Sequence, residues 1–322
     1  MNNNNNNINN NNNNIFLELI PHKIFSFCEI IEYFILLKHQ KMKNIFLLVA
    51  KEKIFICDEN LKILFKKEFL FNIDYLIELS NSLILFSEKT FFYLTKIKYK
   101  KKTFEIKKIF YSFHKETITK IIELQNKKII SCSKDHSIKI FNFHSKNLKI
   151  ETNIFYFFGR ISSLLEIKNS NEIVASSFTE KTLKFFDSNS YEIKSILNDI
   201  KINDYSNTIC LYENFLLIGI FYGIILIDTK NHSILNEIKI DCFSCYNLIN
   251  IKNFVFCSIG NLNEGNLIQF SIEKNNLNKI INFKKIFTKF ILFIEFLNNF
   301  LFLISNNKIQ IFKINFININ KN

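Results

Sequence analysis

Residues that could carry out chemistry are few in this chain, and their spacing argues against an active site. The six histidines are His22, His39, His114, His136, His144 and His232. None has a second histidine or an acid at a metal-ligating spacing. Cys242 and Cys245 form one CxxC pair, but a second pair is missing. A chain with five glycines cannot assemble a glycine-rich phosphate loop. We therefore expect no catalytic residue, no metal ligand and no cofactor.

The strongest charge feature is the segment 96–108, KIKYKKKTFEIKK, which is centred on Lys100, Lys101 and Lys102. Aromatic residues interleave with these lysines. The segment could dock RNA, an anionic lipid surface or an acidic protein segment. The favoured alternative is a solvated hairpin in a lysine-rich chain.

The net charge of +13 is a weak guide to partners. It arises from 42 Lys+Arg against 29 Asp+Glu, and Arg160 is the only arginine. Specific recognition of phosphates and bases relies on the bidentate arginine fork, which is nearly absent here. The favoured residues, Lys, Asn, Ile and Phe, have AT-rich codons, so genome composition explains the charge. Nucleic acid remains a possible but disfavoured partner.

Composition and terminal segments favour an intracellular protein, cytoplasmic or nuclear. Seven cysteines without a secretory signal indicate a reducing compartment. Residues 1–14 form an asparagine-rich, low-complexity tract that we expect to be disordered, and residues 15–322 a single folded domain. The apolar run 290–304 is too short for a membrane span and is interrupted by Glu295.

Internal repeats organise the chain. A phrase of apolar run, polar or acidic residue, asparagine break and second apolar run recurs, as in IELSNSLILFS from Ile77 and IIELQNKKIISCS from Ile121. The break asparagines are Asn81, Asn126, Asn171, Asn214, Asn253 and Asn298. Their spacing of 39 to 45 residues, with an earlier copy at 34–50, gives seven copies.

Each copy holds three or four short runs rich in β-branched and aromatic residues, which are typical of strands. Seven units of four strands predict an all-β, seven-bladed β-propeller of antiparallel sheets. We expect asparagine to replace glycine at the hairpins because it tolerates left-handed backbone angles. The last copy supplies only three strands, so we expect the run KIFSFCEI from Lys23 to pair into it and close the ring.

The third copy resembles a WD repeat. In that family a His, a Ser or Thr, an Asp and a Trp form a buried hydrogen-bond network, and the matching residues here are His114, Ser131, Asp135 and Phe141. The resemblance implies a structural role for them. Since Phe141 has no N–H group, the network is expected to stop at the serine.

The fourth copy keeps the pattern only in part. By sequence it retains Ser176, Glu180 and Phe186, while Phe157 stands at the histidine position. The other copies keep the apolar alternation without the polar residues. The repeat length therefore resembles that of the family over most of the chain, whereas the polar motif is present in only one or two copies.

The resemblance implies a non-catalytic scaffold or adaptor for protein–protein interaction within a multiprotein complex. Four basic residues fall in loops at one expected contact face: Lys115, Lys134, Arg160 and Lys181. An acidic peptide is a plausible ligand there. The alternatives are a propeller that binds RNA or an anionic surface through basic loops, and an enzyme or sensor using the axial channel. The axial alternative would need inward acids or histidines, where the repeats supply aliphatic residues and serine.

Overall fold

The computed structural model describes residues 14–26, 31–37, 45–58, 60–98, 101, 103–112, 114–144, 147–154, 157–201, 208–252, 254–260, 265–273, 276–288, 293–297, 300–305 and 308–319. The regular structure in these ranges is β-strand apart from single helical turns such as Lys168–Ser170. No helix within them has the length and apolar character needed to cross a membrane. Of the tract predicted to be disordered, only Asn14 lies in the described part.

The first four sheets are antiparallel and follow chain order, with each strand paired to the next. Sheet 1 contains β2 (Tyr33–Leu37), β3 (Ile45–Ala50), β4 (Lys53–Cys57) and β5 (Ile63–Glu68). Sheet 2 contains β6 (Tyr75–Glu78), β7 (Ile84–Glu88), β8 (Phe91–Lys98) and β9 (Thr103–Tyr111). Sheet 3 contains β10 (Ile118–Glu123), β11 (Ile129–Ser133), β12 (Ile138–His144) and β13 (Asn147–Ile154). Sheet 4 contains β14 (Ile161–Ile167), β15 (Glu172–Ser177), β16 (Thr182–Asp187) and β17 (Ile193–Leu197).

Sheet 5 has six strands, so the described chain forms six sheets where the sequence predicts seven. Its strands are β18 (Ile209–Tyr212), β19 (Phe215–Asp228), β20 (Ile234–Ile251), β21 (Phe254–Gly260), β22 (Gly265–Glu273) and β23 (Asn276–Thr288). The prediction of seven separate sheets fails here because β19 and β20 each run on through a position where the repeat pattern places a break. Phe221 of β19 pairs with Ser244 of β20, which joins the fifth and sixth repeats by hydrogen bonds.

Sheet 6 combines the two ends of the described chain. It contains β24 (Phe293–Leu297), β25 (Phe300–Ser305), β26 (Lys308–Ile319) and β1 (Asn14–Ser26). β1 is the outer strand and pairs with β26, with Lys23 opposite Ile311. The only proline, Pro21, lies at a register shift of this edge strand, where a missing N–H group is tolerated.

Neighbouring sheets pack face to face in the manner of a β-propeller. The first strands lie side by side: β6 contacts β10, β10 contacts β14, β14 contacts β18, and β24 contacts β2. Both faces of each sheet are covered, which explains why β11 and β15 are buried along their whole length. Six hydrophobic clusters join consecutive sheets, including one that joins sheet 6 to sheet 1 through Phe302 and Phe34. A further cluster lies between the two halves of sheet 5.

The asparagines of the repeated phrase act differently from the prediction. Among those described, only Asn171 has a left-handed backbone angle. At equivalent turns the left-handed residue is Ser82 or Lys127. The preceding asparagines cap the turns with their side chains: the Oδ1 atoms of Asn81 and Asn126 accept hydrogen bonds from the N–H groups two residues on, at 3.0 and 3.1 Å. The side chain therefore acts as an Asx turn, which asparagine forms readily.

Candidate functional site

Three of the four WD-like residues, His114, Ser131 and Asp135, come together in sheet 3. His114 precedes β10, and its imidazole Nε2 lies 2.7 Å from Ser131 Oγ on β11. Its Nδ1 lies 3.0 Å from Asp135 Oδ2, in the turn between β11 and β12. The side chains of His114 and Asp135 are almost completely buried. The arrangement fixes the loop before β10 against the β11–β12 hairpin.

The charges in this network are set by burial and hydrogen bonding. Burial lowers the pKa of His114, against the opposing effect of Asp135. Burial alone would raise the pKa of Asp135, but hydrogen bonds from His114, Ser137 and the Lys115 N–H group bring it well below its usual range. The network therefore holds an ionised carboxylate and a neutral imidazole that donates from Nδ1 and accepts the Ser131 hydroxyl at Nε2.

Three further serines complete the network, and sequence reasoning missed them. Ser137 Oγ donates to Asp135 Oδ1 at 2.6 Å, and Ser133 Oγ donates to the carbonyl of Thr117 at 2.9 Å. Ser112 Oγ accepts the N–H of His114 at 3.4 Å. Serine is also common in solvated turns, so its role here follows only from the register of the strands.

Phe141 is buried at the tryptophan position and makes no hydrogen bond there. Its ring lies edge-on to Phe92 of sheet 2, with centroids 5.3 Å apart. The residue thus replaces a hydrogen-bond donor with packing between two sheets.

In sheet 4 the same positions form a different arrangement. Leu164 pairs with Ala175, as Ile121 pairs with Ser131, so Ala175 and not Ser176 occupies the serine position. The sequence match to Ser176 was wrong because the β15–β16 turn is one residue longer. Both partners of the His–Ser hydrogen bond are therefore replaced together, by Phe157 and Ala175.

In sheet 4 a lysine contacts the residues at the acidic and histidine positions. Lys184 Nζ lies 2.7 Å from Glu180 Oε1 and 4.3 Å from the centroid of the Phe157 ring. The ammonium therefore has both a carboxylate and an aromatic face, and this offsets part of the cost of burial.

The basic loop residues predicted to bind a partner divide between the two ends of the sheets. Lys115, Lys134, Arg160 and Lys181 lie at one end, which we call the loop face, where second strands turn into third strands. Hydrogen bonds tie these loops together: the Lys134 N–H donates to the Thr117 carbonyl at 3.0 Å, and the Arg160 N–H donates to Thr179 Oγ1 at 2.8 Å. Lys101 is exposed at the opposite end, while Lys100 and Lys102 lie outside the described residues.

The loop face also carries aromatic residues that no sequence pattern distinguishes from the core. Phe158 is 90% exposed and Tyr222 57%. Between them, the rings of Phe178 and Phe221 lie 6.0 Å apart, joining the hairpins of sheets 4 and 5. We call the following set the aromatic–basic patch: Phe158, Arg160, Phe178, Lys181, Lys201, Phe221 and Tyr222.

The patch is continuous and positively charged. The Ile200 N–H donates to the Lys181 carbonyl, and the Phe221 N–H donates to the Lys201 carbonyl, both at 3.0 Å. Within the described residues, no carboxylate forms a salt bridge with Arg160, Lys181 or Lys201. Two described acids adjoin the patch in the chain: Glu180 is engaged by Lys184, and Asp199, next to Ile200, is exposed.

His232 forms a second buried polar cluster, at the opposite end of sheets 4 and 5. Its Nδ1 lies 2.6 Å from Ser195 Oγ, its Nε2 lies 3.1 Å from Glu172 Oε2, and its ring stacks on Phe185 at 3.9 Å. The carboxylate also binds Lys194. The cluster links sheets 4 and 5, and its polar groups form hydrogen bonds with one another.

Four of the five described thiols are buried, and the fifth, Cys210, is half-buried. Cys245, of the predicted CxxC pair, lies with its Sγ 3.1 Å from Cys257 Sγ on the neighbouring strand. The side chain of Cys242 lies outside the described residues. Burial raises the pKa of the Cys132 thiol to about 12. Among the described residues, no group of three or more His, Cys, Asp or Glu is placed to hold a metal ion.

Comparison with known proteins identifies the fold. No family model matches the chain, and no curated protein matches it. In contrast, 1430 chains of solved structures match its fold. One belongs to a crystal structure of the mitotic checkpoint complex; it is 10% identical, with a TM-score of 0.72 over 91% of this chain and 94% of that chain. The similarity establishes a β-propeller built from four-stranded antiparallel sheets.

Proposed function

We propose that the protein is a non-catalytic scaffold whose loop face binds an acidic segment of a partner protein. The observation that carries the proposal is the aromatic–basic patch. Aromatic residues and arginine are enriched at protein–protein interfaces, and tyrosine and arginine are among the residues that dominate binding energy. The cations would steer an acidic partner and the rings would bury its apolar side chains.

The rigidity of the loops supports this role. The loops of sheets 3 and 4 are fixed by the His114–Asp135 network and by the Arg160–Thr179 hydrogen bond. Binding to preformed loops costs little ordering of the backbone. A chain of similar fold belongs to a multiprotein assembly, the mitotic checkpoint complex, which fits a scaffold role.

The buried polar clusters support a non-catalytic reading. His114 is fully buried, and His232 is nearly so. In each case both ring nitrogens are hydrogen-bonded to side chains of the protein itself. Neither histidine therefore has a ring nitrogen available to exchange a proton with a substrate.

We further infer that the ring has seven blades and is closed. The hydrophobic cluster inside sheet 5 packs Leu217, Ile224 and Ile238 of its first half against Leu248 and Val255 of its second half. Such packing of one half on the other is that of two neighbouring blades joined through β19 and β20. The β1–β26 pairing would supply the fourth strand of the last blade. A crystal structure that shows six blades around the axis would overturn this inference.

The binding proposal is tested by affinity purification of the tagged chain, followed by mass spectrometry. Arg160→Glu/Lys181→Glu should abolish recovery of the stable protein partner, whereas Lys168→Glu, which changes an exposed lysine at the opposite end, should retain it. Melting temperatures of the three proteins should agree, because all the substituted side chains are exposed. Retention of the partner by the double variant would refute the loop-face site. Recovery of RNA with a steep salt dependence would favour the nucleic-acid alternative.

A further inference from the structure

An exposed apolar stripe lies on the outer hairpin of sheet 2. Four of the ten large apolar side chains that are exposed in the described part of the chain belong to this hairpin. They are Phe91 (40% exposed), Ile106 (39%), Ile109 (53%) and Tyr111 (49%). Among the fourth strands whose side-chain exposure is described throughout, β5 and β17 each carry one such side chain, Ile63 and Ile196.

The strand register places the four side chains on one face. Tyr111 pairs with Phe91, Ile109 with Tyr93 and Ile106 with Thr95. Residues 91, 93 and 95 alternate onto the same side of β8, so their partners share that side. The register shift at Lys107 keeps Ile106 in phase with Ile109. The rings of Phe91 and Tyr111 pack edge-on at 5.6 Å. The stripe is thus continuous along β9.

The strand that bears the stripe ends its sheet. β9 is nine residues long and pairs with β8 on one side, and no described strand pairs with its other edge. An unpaired edge of this length presents a row of backbone N–H and C=O groups to which another extended chain can add.

The charges around this edge are almost all positive. Between residues 101 and 111, the described part of the chain contains three lysines, Lys101, Lys107 and Lys108, and one glutamate. That glutamate, Glu105, is bound by Lys98 and Lys107. The side chains of all three lysines are exposed. A second copy of the same edge would bring like charges together, which disfavours pairing of the protein with itself.

We propose that β9 is a strand-addition site for an extended partner segment in which apolar and acidic residues alternate. The backbone of the segment pairs with the open edge. Its apolar side chains extend the stripe beside Ile106, Ile109 and Tyr111, and its acidic side chains face the lysines. This surface lies at the outer rim and is independent of the loop face, so the protein can hold two partners at once.

The test uses a fluorescein-labelled synthetic peptide, Glu-Val-Glu-Ile-Glu-Val-Glu-Ile-Glu, and measures binding by anisotropy. We expect a Kd on the order of 10 to 100 µM for the wild-type chain. Ile106→Thr/Ile109→Thr keeps strand-forming residues but removes the stripe, and should weaken binding about tenfold. The matched control, Ile234→Thr, changes an equally exposed isoleucine on β20 and should bind like the wild type. Melting temperatures verify that all variants are folded.

Two further measurements separate strand addition from simple charge attraction. A peptide methylated at every central backbone nitrogen cannot donate to the ladder from either edge and should not bind. Bound unmodified peptide should slow hydrogen exchange at outward amides of residues 103–111. Absence of binding by the wild-type chain overturns the proposal. So does equal binding of the N-methylated peptide, or an unchanged affinity of the double variant. Loss of the loop-face partner in the earlier purification has no bearing on these outcomes.

Discussion

The contribution of the His114–Ser131 hydrogen bond to stability can be tested by placing the equivalent residue pair of sheet 4 in sheet 3. The change is His114→Phe together with Ser131→Ala, which reproduces Phe157 and Ala175. In the native chain Nε2 and Oγ are 2.7 Å apart, and both side chains are fully buried. Removing one partner leaves the other without a hydrogen bond, at a cost of about 1–3 kcal/mol. Replacing both partners removes the unsatisfied group as well.

The expected result is therefore a non-additive pair of substitutions. Each single variant should lower the free energy of unfolding, and the double variant should lose about 1–3 kcal/mol less than the sum of the two. The larger volume of phenylalanine contributes to both variants that carry it, so it cancels in the double-mutant cycle. Urea denaturation at pH 7.5 measures all four proteins. A coupling energy near zero, or a double variant worse than the sum, would refute the reasoning.

The same variants test the protonation state of His114. Burial lowers the pKa of His114, so the folded state resists protonation while the unfolded chain takes up a proton below about pH 6.5. Stability from this group is complete above that pH and is lost as the pH falls towards the folded-state pKa. The slope is at most about 1.4 kcal/mol per pH unit. The difference in unfolding free energy between wild type and double variant should therefore shrink from pH 7 to pH 5. A constant difference would show that folding does not lower the pKa of His114.

Two other substitutions examine contacts between and within sheets. Glu123 accepts hydrogen bonds from the N–H and Oγ of Ser80 in the neighbouring sheet, both at 2.7 Å, so Glu123→Ala should cost about 1–3 kcal/mol in urea denaturation. Exposed Glu192→Ala is the control and should change nothing; equal effects would contradict the inter-sheet role. A Cβ atom at Gly223 would lie 2.3 Å from the Ile238 carbonyl oxygen, so Gly223→Ala should cost about 3 kcal/mol in the same assay. An unchanged denaturation midpoint would show that β19 and β20 can move apart at Gly223 without loss of stability.

The sequence predicted the propeller because repeat length and apolar alternation are properties of the chain itself. The His114 network was also predictable, since the resemblance specifies residue types at fixed spacing. The six-stranded sheet was not, because the continuity of β19 and β20 depends on hydrogen bonds between neighbouring repeats. Ser176 was wrongly assigned to the serine position of sheet 4, which Ala175 occupies, because a one-residue change in turn length shifts the register without altering the composition.

The aromatic–basic patch was only half predictable. Arg160 and Lys181 are conspicuous as charges in loops, whereas Phe158 and Tyr222 are hidden among 38 phenylalanines and 11 tyrosines. In such a chain an aromatic residue carries no signal of its own. Only its exposure, which follows from the packing of all the sheets, distinguishes it from the core.

The pairing of β1 with β26 has a mechanical consequence. Asn14 lies opposite Ile319, so the two strands present their outer ends at the same place. A pulling force applied at these two residues loads the hydrogen bonds one after another, as in a zipper, rather than all together in shear. In a single-molecule stretching experiment, sheet 6 should therefore yield first and at low force, and the remaining sheets should then unravel from this seam.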